Sequence, residues 1–224
     1  MLYIVYKDLY QSRKTIALYF TIGLVFILYS FLNNLGLAMS AAFTFVMVYG
    51  VVIRTEYNED KNKGYTLLRI LPIKPYKIVI SKYITPLLLA TAGILFYVII
   101  AKLSGGRMTI DNVAISIILA GSSFTLVFTG AVYVLIYRYG AAKAINISRI
   151  IFFALMFLPG LISSLLVKYI PKPSFIQSGK LENLLERLSN NPVNFNLLII
   201  GLALAIYLLT MLISIRQFNN KRIM

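Results

Sequence analysis

Residues 83–103 read YITPLLLATAGILFYVIIAKL, an apolar run whose only charged side chain, Lys102, stands near its end. A helix needs about 20 mostly apolar residues to cross the hydrocarbon core of a bilayer, because each residue advances it by only about 1.5 Å. This run has the length for such a crossing and carries almost no charge. It therefore predicts a transmembrane helix, and similar runs recur on both sides of it.

The chain as a whole is too apolar for a soluble fold. Hydrophobic residues make up 59% of its 224 residues and charged residues 13%, with a mean hydropathy of +0.82. Soluble domains are about 45–50% apolar and about 25% charged. We therefore predict an all-α, polytopic membrane protein with one six-helix transmembrane domain over residues 1–224. The predicted spans are residues 16–32, 35–53, 83–103, 113–137, 150–167 and 197–215.

The distribution of basic residues predicts the orientation of the spans. With the N-terminus inside, the inner segments carry 16 of the 22 Lys and Arg residues and the outer segments carry 6. Cytoplasmic loops of membrane proteins are enriched in Lys and Arg, where they also meet anionic lipid. We expect both termini in the cytoplasm. The net charge of +15 then indicates a membrane partner and not nucleic acid.

The sequence lacks the side chains of several common chemistries. It contains no Cys and no His, so we expect no disulfide, no metal site and no histidine base. No Gly-rich phosphate loop of the form GxxxxGK[ST] is present, so we expect no enzymatic activity and no cofactor in this chain. All seven acidic residues fall outside the predicted spans, which argues against a proton- or sodium-coupled carrier and against a membrane-embedded enzyme.

Two further segments have an amphipathic pattern. Residues 1–14 combine apolar and cationic side chains with three tyrosines, which predicts a helix in the inner interface or a plain extension of the first span. Between the fifth and sixth spans, leucines recur at helical spacing and predict an extracellular amphipathic helix. These leucines are Leu181, Leu184, Leu185 and Leu188.

The segment of residues 54–82 is long and strongly charged. It begins with Glu56, Glu59 and Asp60, continues with lysines, and then places apolar residues at helical spacing from Tyr65 onward. Pro72 ends that pattern, because proline and the residue before it both disfavour helix. We predict a connecting loop that contains a helix of two to three turns, nearly parallel to the membrane.

The sequence, most of all within this segment, resembles the small permease subunits of the ABC-2 exporter family. It is most similar to bacterial permeases that work with a separate ATPase to export peptides such as phenol-soluble modulin toxins, or to protect the cell from them. The resemblance rests on Lys7-Asp8-Leu9, Glu59-Asp60-Lys61-Asn62-Lys63, Leu67-Leu68, Leu71-Pro72-Ile73 and Ile78-Val79-Ile80-Ser81-Lys82-Tyr83.

The resemblance implies a coupling helix that sits in a groove of a cytoplasmic ABC ATPase and transmits its closure to the spans. Two permease chains, identical or different, would form one pathway, and ATP and magnesium would bind the ATPase subunits. The residues implied in coupling are Glu56, Glu59, Asp60, Lys61, Tyr65, Leu68, Arg69, Leu71 and Pro72. The alternative for the charges is an ordinary solvated loop, and the alternative for the leucines is packing onto the membrane face.

Aromatic residues crowd the first two predicted spans. They are candidates for lining an apolar or amphipathic cavity where two permease chains meet, although packing or lipid-facing roles also explain them. The candidates are Tyr19, Phe26, Tyr29, Phe43, Phe45 and Tyr49.

The function expected from these features is ATP-driven export of an amphipathic or hydrophobic substrate, such as a peptide toxin or antimicrobial peptide, across a bacterial plasma membrane. Two alternatives remain open. One is the substrate-binding membrane subunit of a vitamin importer, which also has about six spans and a separate ATPase. The other is an immunity or channel protein that acts alone.

Overall fold

The computed structural model describes residues 2–32, 36–70, 72–103, 112–169 and 192–220, and these residues form helices joined by short turns, without a strand among them. The all-α prediction is confirmed. In chain order the helices are α1 (Leu2–Gln11), α2 (Arg13–Leu32), α3 (Gly36–Lys61), α4 (Gly64–Ile70), α5 (Pro75–Leu103), α6 (Asn112–Tyr139), α7 (Ala141–Tyr169) and α8 (Pro192–Asn220).

Three helical segments of the described chain are long and apolar enough to cross a membrane: Pro75–Leu103, Ile115–Tyr139 and Asn196–Asn220. They belong to α5, α6 and α8 and correspond to the third, fourth and sixth predicted spans. The full set of six spans and the cytoplasmic placement of both termini stay predictions. The predicted helix around Leu181, Leu184, Leu185 and Leu188 lies outside the described residues.

The predicted connecting loop of residues 54–82 is much shorter in the structure. Helix α3 continues through the acidic residues to Lys61, and α5 already begins at Pro75. Proline suits that first helical position because its missing N–H would be unpaired there anyway. All three acidic residues of this stretch find partners inside the protein, as described below. The short helix predicted within this segment is present as α4, which spans two turns.

The centre of the fold is a set of buried tyrosines where α5, α6 and α8 meet. The ring of Tyr83 on α5 lies 5.0 Å from the rings of Tyr133 on α6 and Tyr207 on α8. Its hydroxyl lies 2.8 Å from the Ser214 Oγ of α8, and the Tyr207 hydroxyl donates to the Tyr83 carbonyl at 2.7 Å. These bonds satisfy polar groups that would be costly to leave unpaired in a buried, apolar setting.

A tight turn brings α6 and α7 side by side at one end. Gly140 has a φ of +87°, a conformation that glycine adopts without steric cost. The Gly140 N–H donates to the Ile136 carbonyl at 2.8 Å, and its carbonyl accepts from the Ala144 N–H at 3.1 Å. The chain thereby ends one helix and starts the next within a single residue.

Close helix approach generates the first prediction, which concerns Gly23 on α2. A methyl group at this position would overlap the ring of Phe43 on α3, and that ring is itself packed against Phe20 and Phe96. Because the ring has no free direction in which to move, Gly23→Ala should destabilise the fold by about 1–3 kcal/mol, as overpacking does. The measurement is the temperature at which the monodisperse peak is lost on size-exclusion chromatography in mild detergent.

The matched control is Gly201→Ala on α8, where an added methyl would meet nothing within 4 Å. Since alanine is favoured over glycine in a helix by about 1 kcal/mol, this variant should be as stable as the original or slightly more so. Equal loss of stability in both variants would show that the α2–α3 contact is not tight.

Candidate functional site

Helix α4 has one buried side and one exposed side. Leu68 packs in the core with 6% of its surface exposed, whereas the neighbouring Leu67 is 63% exposed. Lys63, at a φ of 54°, turns the chain from the end of α3 into α4. A Cβ on Gly64 would lie 3.3 Å from the Glu59 carbonyl, so the start of α4 is pressed against the end of α3.

A buried lysine lies where α1, α3 and α5 meet. Lys82 Nζ lies 3.0 Å from Asp8 Oδ2, 3.2 Å from Glu56 Oε1 and 3.4 Å from Glu59 Oε1. All four side chains are almost completely buried. One cation on α5 is therefore held by carboxylates from two other helices.

Two further side chains complete this group, which we call the ionic cluster: Lys7, Asp8, Glu56, Glu59, Tyr65 and Lys82. Lys7, which is partly exposed, donates to Glu59 Oε1 and lies 3.5 Å from Asp8 Oδ1. The Tyr65 hydroxyl of α4 donates to Glu56 Oε2, and the Tyr65 ring centroid lies 5.8 Å from Lys82 Nζ. The ionic cluster thus joins α1, α3, α4 and α5.

Helical periodicity brings the members of the ionic cluster together. Glu56 and Glu59 are three residues apart and project from one face of α3. Asp8 follows Ile4 and Val5 on the buried face of α1. Lys82 belongs to the buried stripe of α5 that includes Ile78 and Val79. Asp8, Glu56, Glu59 and Lys82 therefore occupy buried positions that apolar residues would otherwise fill.

The charges of the ionic cluster do not cancel when every group is ionised, because three carboxylates face two ammonium groups. Glu56 lies beyond the predicted end of its span, and burial raises the pKa of its carboxyl against the opposing effect of Lys82. Burial, reinforced by Glu56, raises the pKa of the Tyr65 phenol well above its ordinary value. Tyr65 consequently keeps its proton and remains a hydrogen-bond donor to Glu56.

The comparison with known families identifies the kind of protein to which this site belongs. The family described as ABC-2 family transporter protein matches residues 3–219, which is nearly the whole chain. The chain belongs to the ABC-2 transporter family. It is a multi-pass membrane protein and a permease subunit of an ABC transporter, a class that associates with an ABC ATPase. No curated protein and no solved structure matches the permease.

The residues of the predicted coupling loop have different surroundings in the structure of the permease. Glu56 and Glu59 are not exposed loop residues but are buried in the ionic cluster, because α3 extends through them. Asp60 Oδ2 accepts from the Ala141 N–H at 3.1 Å and so caps the start of α7. Lys61 and Pro72 are exposed. The Arg69 side chain and Leu71 lie outside the described part of the chain.

The aromatic candidates for the transport pathway differ in their surroundings. Phe43 and Phe45 are buried within this one chain: Phe43 packs on Phe20 and Phe96, and Phe45 packs on Tyr49, Phe124, Phe128 and Phe152. Tyr19 also packs against the core, whereas Phe26 is exposed. The packing interpretation therefore accounts for most of this set in the single permease chain. The side chain of Tyr29 is not among those described.

Sequence reasoning did not find Lys82, Asp8 and Lys7 as site residues. By position Lys82 belongs to the basic residues of the 54–82 segment, and the sequence otherwise singles out Lys7, Asp8 and Lys82 only through the resemblance. A usable signal is present, since Asp8 falls on the apolar stripe of Ile4 and Val5 and Lys82 falls on that of Ile78 and Val79. A charge on a buried stripe needs a buried partner.

Removing the central cation generates the second prediction. Lys82→Met keeps the length and apolar stem of the side chain but leaves the buried carboxylates without their shared partner. Such a loss should destabilise the permease by about 3–5 kcal/mol. The monodisperse peak on size-exclusion chromatography should therefore be lost at a lower temperature.

Lys77→Met is the matched control, because Lys77 is an exposed lysine on the same helix. Exposed substitutions usually change stability by about 0.5 kcal/mol or less. If the two variants lose stability equally, the ionic cluster does not hold these helices together.

Proposed function

We propose that the permease exports an amphipathic or hydrophobic substrate, such as a peptide toxin or antimicrobial peptide, and that α4 is its coupling helix. The observation that carries the proposal is the placement of α4. This two-turn helix lies between two long helices, presents one side outward and is tied by its other side to the ionic cluster. ATP would be hydrolysed in the partner ATPase, since this chain contains no phosphate-binding loop.

The outward side of α4 has the composition of a docking surface. Leu67 and Thr66 are exposed on α4, and Lys61, Asn62 and Lys63 are exposed immediately before it. Leu67 offers an apolar anchor, and the two lysines add positive charge just before the start of α4. Such charges set the register and choice of partner more than the raw affinity. The inner neighbours Tyr65 and Leu68 keep the surface in place.

The ionic cluster gives α4 a path to the helices in the membrane. A displacement of α4 acts on Glu56 through Tyr65, and Glu56 is paired with Lys82 on α5. From Lys82 the next residue is Tyr83, which contacts α6 and α8 at the buried tyrosine centre. Asp60 provides a second connection, from the end of α3 to the start of α7. Rigid connections of this kind can transmit a small movement of α4 along whole helices.

Export of a peptide is supported by the resemblance of the segment around α4 to peptide-exporter permeases. Family membership supports an ATP-driven transporter over a protein that acts alone. Two permease chains, in a homodimer or heterodimer, would enclose the pathway. A vitamin importer subunit or an immunity protein is the alternative that the following experiment would reveal.

The test begins with the tagged permease, purified from its own membranes in mild detergent together with whatever binds it. The proposal expects a stoichiometric ABC ATPase. The complex is then placed in vesicles with a fluorescent amphipathic helical peptide outside. Because added ATP reaches only the complexes whose ATPases face outward, an exporter should accumulate peptide inside the vesicles. Loss of peptide from preloaded vesicles would indicate import, and a tightly retained small ligand would favour the vitamin importer.

Two adjacent leucines of α4 generate the third prediction. Leu67→Ala should leave stability unchanged but weaken ATPase binding about tenfold or more, equivalent to ~1.4 kcal/mol, as loss of an interface anchor does. Leu68→Ala should instead lower stability by about 2–5 kcal/mol, because it opens a cavity in the core.

Binding is measured by titrating the purified ATPase onto the immobilised permease, and stability by heating before size-exclusion chromatography. The same substitution at neighbouring positions thus separates docking from folding. If Leu67→Ala binds the ATPase with unchanged affinity, α4 is not the docking surface.

A further inference from the structure

An apolar groove runs along the outside of α6 and α7. Its cavity volume is about 210 Å³, and its walls include Phe124, Ala131 and Leu135 of α6 and Ser148, Ile151 and Leu155 of α7. Phe124, Ile151 and Leu155 are exposed, so the groove opens to the surface of the chain. Ser148 adds no free polar group, because its hydroxyl bonds with Tyr49 at 2.8 Å and donates to the Ile145 carbonyl at 2.9 Å.

One end of the groove is basic. Arg138 stands one helical turn beyond Leu135 and continues the groove side of α6, and Lys143 is exposed near the start of α7. The tight turn at Gly140 keeps these two helix ends together. The acidic residue described at this end is Asp60, which is bonded to the Ala141 N–H. Two cations against one carboxylate leave this end positively charged.

Tyr139 adds a third feature to the same end. Its ring is exposed, and the Arg138 guanidinium lies 5.2 Å from the ring centroid. Tyrosine is enriched at the level of lipid headgroups, where its ring meets apolar chains and its hydroxyl meets water. The groove therefore passes from an apolar channel on a candidate span, Ile115–Tyr139, to an aromatic and cationic mouth.

We propose that this groove binds one acyl chain of an anionic phospholipid, with the headgroup phosphate at the mouth formed by Arg138 and Lys143. The volume suits a single narrow chain, since pockets for whole small molecules are about 300–1,000 Å³. An acyl chain gains little by leaving the bilayer for another apolar surface. Selectivity must then come from the headgroup, and basic sites between membrane helices favour anionic headgroups.

The test uses the fact that the permease has no Trp. Phe124→Trp places a single reporter in the wall of the groove. Leu202→Trp places the matched reporter on the exposed surface of α8, at a similar level, because α8 runs alongside α6 with Asn196 bonded to Ser116 and Gly130 next to Tyr207 and Thr210. Each variant is placed in mixed vesicles in which either the phosphatidylglycerol or the phosphatidylcholine carries brominated acyl chains, which quench Trp fluorescence.

We expect brominated phosphatidylglycerol to quench the groove reporter with about fivefold enrichment over phosphatidylcholine, the factor given by one basic residue near an anionic lipid. The α8 reporter should show no comparable preference. Changing Arg138 and Lys143 to Gln in the Phe124→Trp background should abolish the enrichment.

Three outcomes would overturn the proposal. Equal quenching of the groove reporter by both lipids would show that the headgroup is not selected. Quenching of the α8 reporter alone would show that protein covers the groove, as a second permease chain would. Enrichment that survives loss of both cations would place the headgroup elsewhere.

Discussion

The buried ammonium group of Lys82 constrains the rest of the structure more than any other group. A charge can remain in an apolar interior only when opposite charges and hydrogen bonds replace its water. Asp8 on α1 and Glu56 and Glu59 on α3 supply those charges within 3.0–3.4 Å. These helices therefore cannot shift independently of α5 without exposing an unpaired buried charge, and the positions of α1 and the end of α3 follow from one side chain.

This constraint connects the two parts of the fold that an ATP-driven permease must join. On one side, Tyr65 links the ionic cluster to α4, whose Thr66 and Leu67 are exposed. On the other, Lys82 precedes Tyr83 and the tyrosine centre of α5, α6 and α8. The ionic cluster lies between them, and the Tyr65 ring also contacts Tyr137 of α6 and Phe218 of α8 directly. Packed helices and shared ion pairs both favour discrete arrangements over gradual sliding.

Composition and periodicity predicted much of this fold, because the length and polarity of apolar runs respond directly to lipid. The short helix α4 was predictable from its apolar spacing and the proline that follows it. The extension of α3 to Lys61 and the start of α5 at Pro75 were not predictable from sequence. Charged residues indicate a loop unless their buried partners are known. Glu56 and Lys82 form an ion pair although they are 26 positions apart in sequence, because the packing of α3 on α5 brings them together. The core packing of Phe43 and Phe45 was likewise set by neighbours distant in the chain.

The most direct measurement of the central claim is the distance distribution between spin labels on α1 and α4, recorded by pulsed electron paramagnetic resonance. The chain has no Cys, so Cys introduced at the exposed residues Tyr6 and Thr66 can be labelled without interference. The account predicts a narrow distribution in the otherwise unaltered permease and a broad one in the monodisperse fraction of Lys82→Met. An equally narrow distribution after the lysine is replaced would contradict it, because apolar packing would then suffice to fix α1 and α4.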